Sequence, residues 1–318
     1  MTSFDIHQHL WPEQLIAALR KRHRPPRIEG DHLILGEGTF AAGVGDHDLG
    51  TRLSVLDDAG IDVAVVSLQP TLACDGISEL VDAYHEGILE LVDAAGGRLR
   101  AFAVAECRDG LVGACVPAPA LLAGIDELAS ELVSAGQTLF VHPGPVPPPP
   151  EGAPPWWPAL VDYPAQMQAA YAAWLTHGNP QLKVVFGILA GGGPFHLERL
   201  RARGGDVPVK PVFFDTASYG PLALRLRGPH QLHRPRVVGG SAVGEVDPED
   251  RGARGHEPAD ELGRVRRRAQ RADELGPRGH PPPSSPTSAR TSAAIARALS
   301  SPSPAPSAGS ENVVGTSP

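Results

Sequence analysis

Apolar residues along the first 220 positions fall into two alternating patterns. Short, nearly continuous apolar runs recur at 3–7, 62–68, 99–105, 111–116, 138–142, 183–189 and 212–216. Runs of that length without alternation fit strands covered on both faces, as in a parallel sheet. Between several of them the apolar period lengthens to that of a helix. The stretch 77–95 puts Leu80, Ala83, Tyr84 and Ile88 on one face and stops at Gly96-Gly97. Positions 121–135, 160–177 and 197–203 read the same way. Strand, helix, strand in repetition predicts an α/β fold with helical crossovers. Seven strands are one short of a (β/α)8 TIM-type barrel, so the expectation is an incomplete barrel. Two segments break the rhythm: a polar, Gly-rich excursion at 24–52 and a stiff run at 143–158 rich in proline. Both follow strand C-termini, the barrel face on which active-site loops sit.

Composition changes this picture beyond residue 225. All 16 aromatic residues lie at or before Tyr219, and only 13 of the last 93 residues are Leu, Ile, Val or Phe. That share, 14%, is too low to bury a core. Lysine is absent there, and Pro281-Pro282-Pro283-Ser284-Ser285-Pro286 is low complexity. The sequence therefore divides into a barrel-like unit at 1–225 and a tail at 226–318 expected to be disordered. So abrupt a loss of pattern fits a shifted reading frame or a natural extension; the gene sequence across codons 220–260 separates the two.

Charge excludes one class of partner. The tail carries 13 Arg against 10 Asp or Glu, net +3, which leaves −11 on residues 1–225 from the total of −8. An acidic folded part is not built to track phosphates, so no nucleic acid is expected. Three cysteines, Cys74, Cys107 and Cys115, make no disulfide framework. No basic-then-apolar leader and no long apolar run appear, so the expectation is a cytoplasmic protein with no membrane partner. Exposed barrel edges would seek cover, which makes a homo-oligomer plausible.

The candidate chemistry sits at strand ends. In Phe4-Asp5-Ile6-His7-Gln8-His9, residues two apart share a strand face, so His7 and His9 point together. Two imidazoles so placed can bind one divalent ion at about 2.1 Å each. In Thr138-Leu139-Phe140-Val141-His142-Pro143-Gly144 a histidine ends an apolar strand and Pro-Gly turns the chain away. His142 would stand on the same rim, completing an open three-imidazole site with room for water or substrate. The competing reading is a set of surface and capping histidines. Trp157, after the proline run, either walls a pocket for a planar substrate or packs the loop. Asp215 ends the seventh strand, placed to orient a ligand or to hydrogen-bond a loop. Gly191-Gly192-Gly193 lacks the Lys-Ser/Thr of a phosphate loop and reads as close backbone packing.

These motifs, with DDAGIDVAVVS, PWWPALVDY, KVVFGILAGGGPFHLERL and VFFDTASYGP, resemble the amidohydrolase-related family, in the branch of the aminocarboxymuconate-semialdehyde decarboxylase type. The resemblance covers about residues 3–225. It implies a distorted (β/α)8 barrel holding one divalent metal, usually zinc, and either hydrolysis or non-oxidative decarboxylation. His7, His9 and His142 match the family's histidines on the first and fifth strands. Where the family ends its sixth strand in histidine, this chain has Ile188; His196, eight residues on, is a weak substitute whose alternative is a helix-surface histidine. Where the family ends its eighth strand in Gly-Ser-Asp, this chain offers His233 or Ala242 and no aspartate.

The leading expectation is a metal-dependent hydrolase or decarboxylase acting on a small organic acid, amide or lactone. His7, His9 and His142 hold the ion, and the general acid–base is unassigned apart from His196 and Asp215. The rival is a catalytically inactive truncated barrel serving as a binding or scaffold protein.

Overall fold

The computed structural model describes residues 2–154, 156–205, 212–217 and 219. The 226–318 tail, with His233 and Ala242, lies outside the described residues. So does any eighth strand.

The chain begins with β1 (Phe4–His9), then α1 (Glu13–Lys21) and a three-stranded antiparallel sheet, β2 (Arg27–Glu29), β3 (His32–Ile34) and β4 (Thr39–Ala41). Next come α2 (Leu49–Ala59), β5 (Val63–Ser67), α3 (Ser78–Ala94), β6 (Leu99–Ala101) and β7 (Ala103–Val104). They are followed by β8 (Gly113–Pro117), α4 (Ala120–Ala123), α5 (Asp126–Ala135) and β9 (Thr138–His142). The last elements are α6 (Tyr163–His177), β10 (Lys183–Phe186), α7 (Leu197–Arg201) and β11 (Val212–Phe214).

All seven expected strands form. Their pairing runs β1-β5-β6 and β7-β8-β9-β10-β11, every pair parallel. β6 and β7 are the two halves of the single run expected at 99–105, parted at Phe102. One inner cluster takes residues from every strand run: Phe4 and Ile6, Val65, Phe102, Cys115, Phe140, Val185 and Phe213. The two parallel sheets thus share one inner cluster. Phe102 and Phe140 stack at 5.3 Å in its middle, and each buried Phe contributes roughly 1.5–3 kcal/mol. Two outer clusters fill the layer between strands and helices, one beneath α1 and α3, the other beneath α5 and α6.

The sequence pattern passed over two helices and the small sheet. α2 is set by its ends: the Asp48 side chain accepts from the Thr51 N–H at 2.8 Å, and Gly60 takes φ 65° at the C-terminus. α1 packs Leu15, Ile16, Ala18 and Leu19 inward. Its approach to α3 is close enough that a Cβ on Gly87 would overlap Pro12 and the Gln14 side chain. Other boundaries move by a few residues. The 121–135 helix is broken into α4 and α5 at Gly124, φ 100°. The 183–189 strand ends at Phe186, because the backbone from Ile188 to Gly192 turns left-handed. Among the described residues, no helix is long and apolar enough to cross a membrane.

Candidate metal centre

The C-terminal end of β1 does not continue its ladder evenly. Phe4 and Asp5 pair with Val63 and Ala64, but Gln8 and His9 pair with Val66 and Ser67, so β1 carries one extra residue as a bulge. Asp5 stabilises it: one oxygen accepts the His7 N–H at 3.1 Å and the other the Gln8 amide at 2.8 Å. Arg52 of α2 then donates to Gln8 Oε1 at 3.1 Å and to the His9 carbonyl at 3.1 Å. The bulge is locked from both sides, which fixes where His7 and His9 project.

β9 brings the third imidazole. Every residue of β9 is buried, and His142 at its end is 6% exposed. The three ring centroids lie 5.2, 5.0 and 5.0 Å apart, with interplanar angles of 79–80°. His7, His9 and His142 each turn one ligand nitrogen inward, and these nitrogens lie within 4.8 Å of one another. Two bonds of about 2.1 Å on opposite sides of one ion span about 4.2 Å, so a small closing movement of the rings brings all three onto a single cation.

The outer nitrogens decide which atoms are available. His7 Nδ1 meets Asp215 Oδ2 at 2.6 Å, His9 Nδ1 the Ser67 carbonyl at 3.2 Å, and His142 Nδ1 the Pro143 carbonyl at 2.8 Å. An oxygen acceptor at each Nδ1 holds a proton there and leaves Nε2 with its lone pair, the form a metal requires.

Electrostatics follow from burial. Burial pushes the His9 pKa down to about 3, helped by the neighbouring charge of His7. Burial also takes His142 well below the ordinary imidazole value. At His7 burial pulls downward too, but the Asp215 carboxylate outweighs it and leaves the pKa raised. Asp215 is fully buried. Burial alone would raise its carboxyl, yet the charge and hydrogen bond of His7 and the N–H groups of Ala217 and Ile188 hold it below the usual range. Asp215 is thus an ionised carboxylate whose oxygens are occupied: Oδ2 by His7 and the Ile188 N–H at 2.9 Å, Oδ1 by the Ala217 N–H. Both carboxylates beside His7, Asp5 and Asp215, are committed to hydrogen bonds.

The remaining sequence candidates are not brought to this cluster. His196 is exposed at the end of the Ile188–His196 turn. Trp157 is half-buried, its backbone N–H donating to the Pro154 carbonyl at 2.9 Å, and among the described residues it makes no ring contact with the histidines. Three residues without a sequence-based role do belong here: Asp5 and Arg52, which lock the bulge, and His47, which stacks on Trp11 at 4.2 Å. The Asp5-x-His7-x-His9 spacing is a visible signal for the first; nothing local marks the other two.

The fold has counterparts among solved structures. The structure of an IDCase from Metarhizium anisopliae in apo form superposes with a TM-score of 0.62 at 19% identity, covering 94% of this chain and 97% of that one. The chain shares the fold of that structure. An amidohydrolase II structure matches at a TM-score of 0.53 and 18% identity, over 73% of this chain and 81% of that one. The 4-oxalomesaconate hydratase LigJ from Rhodopseudomonas palustris matches at 0.52 and 14% identity, over 86% and 97%. At the level of sequence, no protein-family model and no curated protein matches.

Proposed function

We propose that this chain is a metal-dependent hydrolase or non-oxidative decarboxylase of the amidohydrolase type, acting on a small organic molecule. His7, His9 and His142 hold one divalent ion. The observation that carries this reading is the set of three imidazoles, His7 and His142 buried and His9 partly buried, each tied to an oxygen at Nδ1 and converging on one another. Three nitrogen donors, with no carboxylate in the convergent group among the described residues, suit zinc better than magnesium or calcium. The likeness in fold to an amidohydrolase II structure and to a hydratase supports the coarse reaction class.

Such an ion supplies a Lewis acid at neutral pH. The protein's own residues do the rest. Asp215 keeps the proton on His7 Nδ1 and fixes the ring, acting through His7 as a positioning residue. The Ser67 and Pro143 carbonyls do the same for His9 and His142. Phe140, 5.1 Å from the His7 ring, closes the floor with apolar surface and keeps water out from below. Gly187 lies close against the centre: a Cβ there would stand 3.3 Å from the Val141 carbonyl oxygen and in ordinary contact with Asp215 Oδ2 and the His7 ring.

The test is metal content followed by turnover. Purified protein is expected to carry one ion per chain. Stripping it with a chelator is expected to abolish turnover across a panel of esters, lactones and aromatic acids, with recovery on adding zinc. Turnover that survives in the stripped protein, or no uptake of any divalent ion, overturns the proposal. Stoichiometric metal with no turnover supports the binding-protein rival.

A further inference from the structure

The proline run after β9 carries an exposed surface that the histidine cluster does not use. Its peptide bonds from Gly144 to Pro150 are trans. Proline fixes φ at about −65°, and Val146 to Pro149 each precede a proline, which holds them extended. The segment is therefore a left-handed polyproline helix with about three residues per turn. With that period, residues three apart share an edge, and burial follows it. Val146 is buried and Pro149 partly buried on one edge, whereas Pro145 with Pro148, and Pro147 with Pro150, are exposed on the other two. One edge lies against the body and two proline ridges face outward. Both ends are tied down. The Gly144 N–H donates to Gln166 Oε1 at 2.8 Å, and the Gln166 amide donates to the Pro145 carbonyl at 2.9 Å. The Ala153 N–H donates to the Pro150 carbonyl at 2.9 Å. Among the described residues, no hydrogen bond reaches the carbonyls of Pro147, Pro148 and Pro149.

A helix already held in this shape loses little freedom on binding. Its paired ridges and free carbonyls are what an aromatic-lined groove takes up. Charge narrows the partner. Between Arg108 and Lys183 the chain has no Lys or Arg but six acidic residues, and one of them, Glu151, follows the run directly and is exposed. Glu37, from the β3–β4 hairpin, brings a further carboxyl beside Val146. A groove that complements this surface carries cations at its rim, since like charge there would repel. We infer that the Pro145–Pro150 ridges are a docking surface for a partner protein domain with an aromatic-lined, proline-binding groove rimmed by basic residues. The inference does not depend on the metal reading.

The experiment titrates the full chain into isotopically labelled SH3, WW and EVH1 domains and follows the amide resonances around their aromatic grooves. A domain whose groove rim is basic is expected to bind. Pro147→Ala and Pro148→Ala, one on each exposed ridge, are each expected to weaken that binding about 10-fold. Pro149→Ala, on the edge facing the body, is expected to leave it within about twofold. Glu151→Lys is expected to weaken it about 3- to 10-fold, an effect that shrinks at high salt. Unchanged thermal midpoints show that the variants keep their fold. No binding by any of the three classes overturns the proposal. So does binding that survives in both Pro147→Ala and Pro148→Ala, which Pro281-Pro282-Pro283 of the tail would then carry. Equal losses in all three proline variants overturn it as well, and so does self-association of the full chain, in place of domain binding, that disappears in Pro148→Ala: a second copy then covers the ridges. Binding unchanged or tightened by Glu151→Lys overturns the basic rim.

Discussion

β9 and β10 are neighbours in the sheet, both buried and apolar, and both end at the same rim, yet they serve the centre differently. β9 ends in His142 and delivers a side chain. β10 stops at Phe186, and the turn beyond it delivers only backbone: Gly187, packed close to His7, and the Ile188 N–H, which is donated to Asp215. That turn is costly. Ile188, Leu189 and Ala190 all have φ between 43° and 52°, a region that disfavours residues with a Cβ. Gly191 continues it at φ 60°, and a Cβ there would collide with the Pro164 carbonyl. The result is a carboxylate, Asp215, gripped by N–H groups of Ile188 and Ala217 and held against His7. One strand end thus supplies an imidazole and the other supplies the frame that aims an imidazole of β1.

That contrast can be broken at its widest point. His142→Ala is expected to abolish retention of the ion through gel filtration, whereas Ile188→Ala keeps the backbone N–H and is expected to hold metal within about threefold of wild type. Loss of metal in both, or in neither, removes the distinction between the two strand ends.

A smaller effect tests the frame itself. Asp215→Asn is expected to weaken zinc affinity about 10- to 100-fold, measured by competition with a chromophoric chelator, because His7 loses the carboxylate that fixes its tautomer. An unchanged affinity would make Asp215 a loop anchor and nothing more.

The pH dependence of the metal-free protein reads the burial of the rings. His9 stands at about 3 in the fold and His142 is lowered in the same direction. An unfolded imidazole titrates near 6.5. Between about pH 6.5 and 4 the unfolded chain therefore binds more protons, and stability falls as pH falls, by up to about 1.4 kcal/mol per pH unit for each group. His7 runs the other way: its raised pKa contributes stability that is intact below 6.5 and lost as pH rises through the raised value. Denaturant midpoints of stripped protein at pH 7 and pH 5 check this; equal midpoints would mean the rings are not buried as described.

The smallest expected change lies in the β10 turn. Ala190→Gly relieves one left-handed residue, worth roughly 1–2 kcal/mol, and gives up a buried methyl worth about 0.8 kcal/mol. A net gain below about 1 kcal/mol in thermal unfolding is expected, and a clear destabilisation would say that the turn is not strained.

How much of this is readable from sequence depends on range. His7 and His9 share a strand and a period of two, so their common face is local information. His142 is legible because a histidine between an apolar strand and Pro-Gly has few other places to go. The seven strands are legible because fully covered strands write themselves as apolar runs. Asp215 is visible as a strand-ending acid, but its partner stands 208 positions earlier, and no local pattern encodes that meeting. His47 and Arg52 are hidden inside a polar excursion whose helix, α2, is defined by Asp48 and Gly60 rather than by an apolar stripe. His196 and Trp157 draw notice by residue type alone, and the fold leaves them away from the histidine rings.

X-ray absorption at the zinc edge of the reconstituted full chain addresses the central claim most directly. Three imidazole nitrogens at about 2.0–2.1 Å, falling to two in His142→Ala, is the result expected. A first shell of oxygens, or of fewer than three imidazoles in the wild-type chain, would contradict a shared ion at His7, His9 and His142.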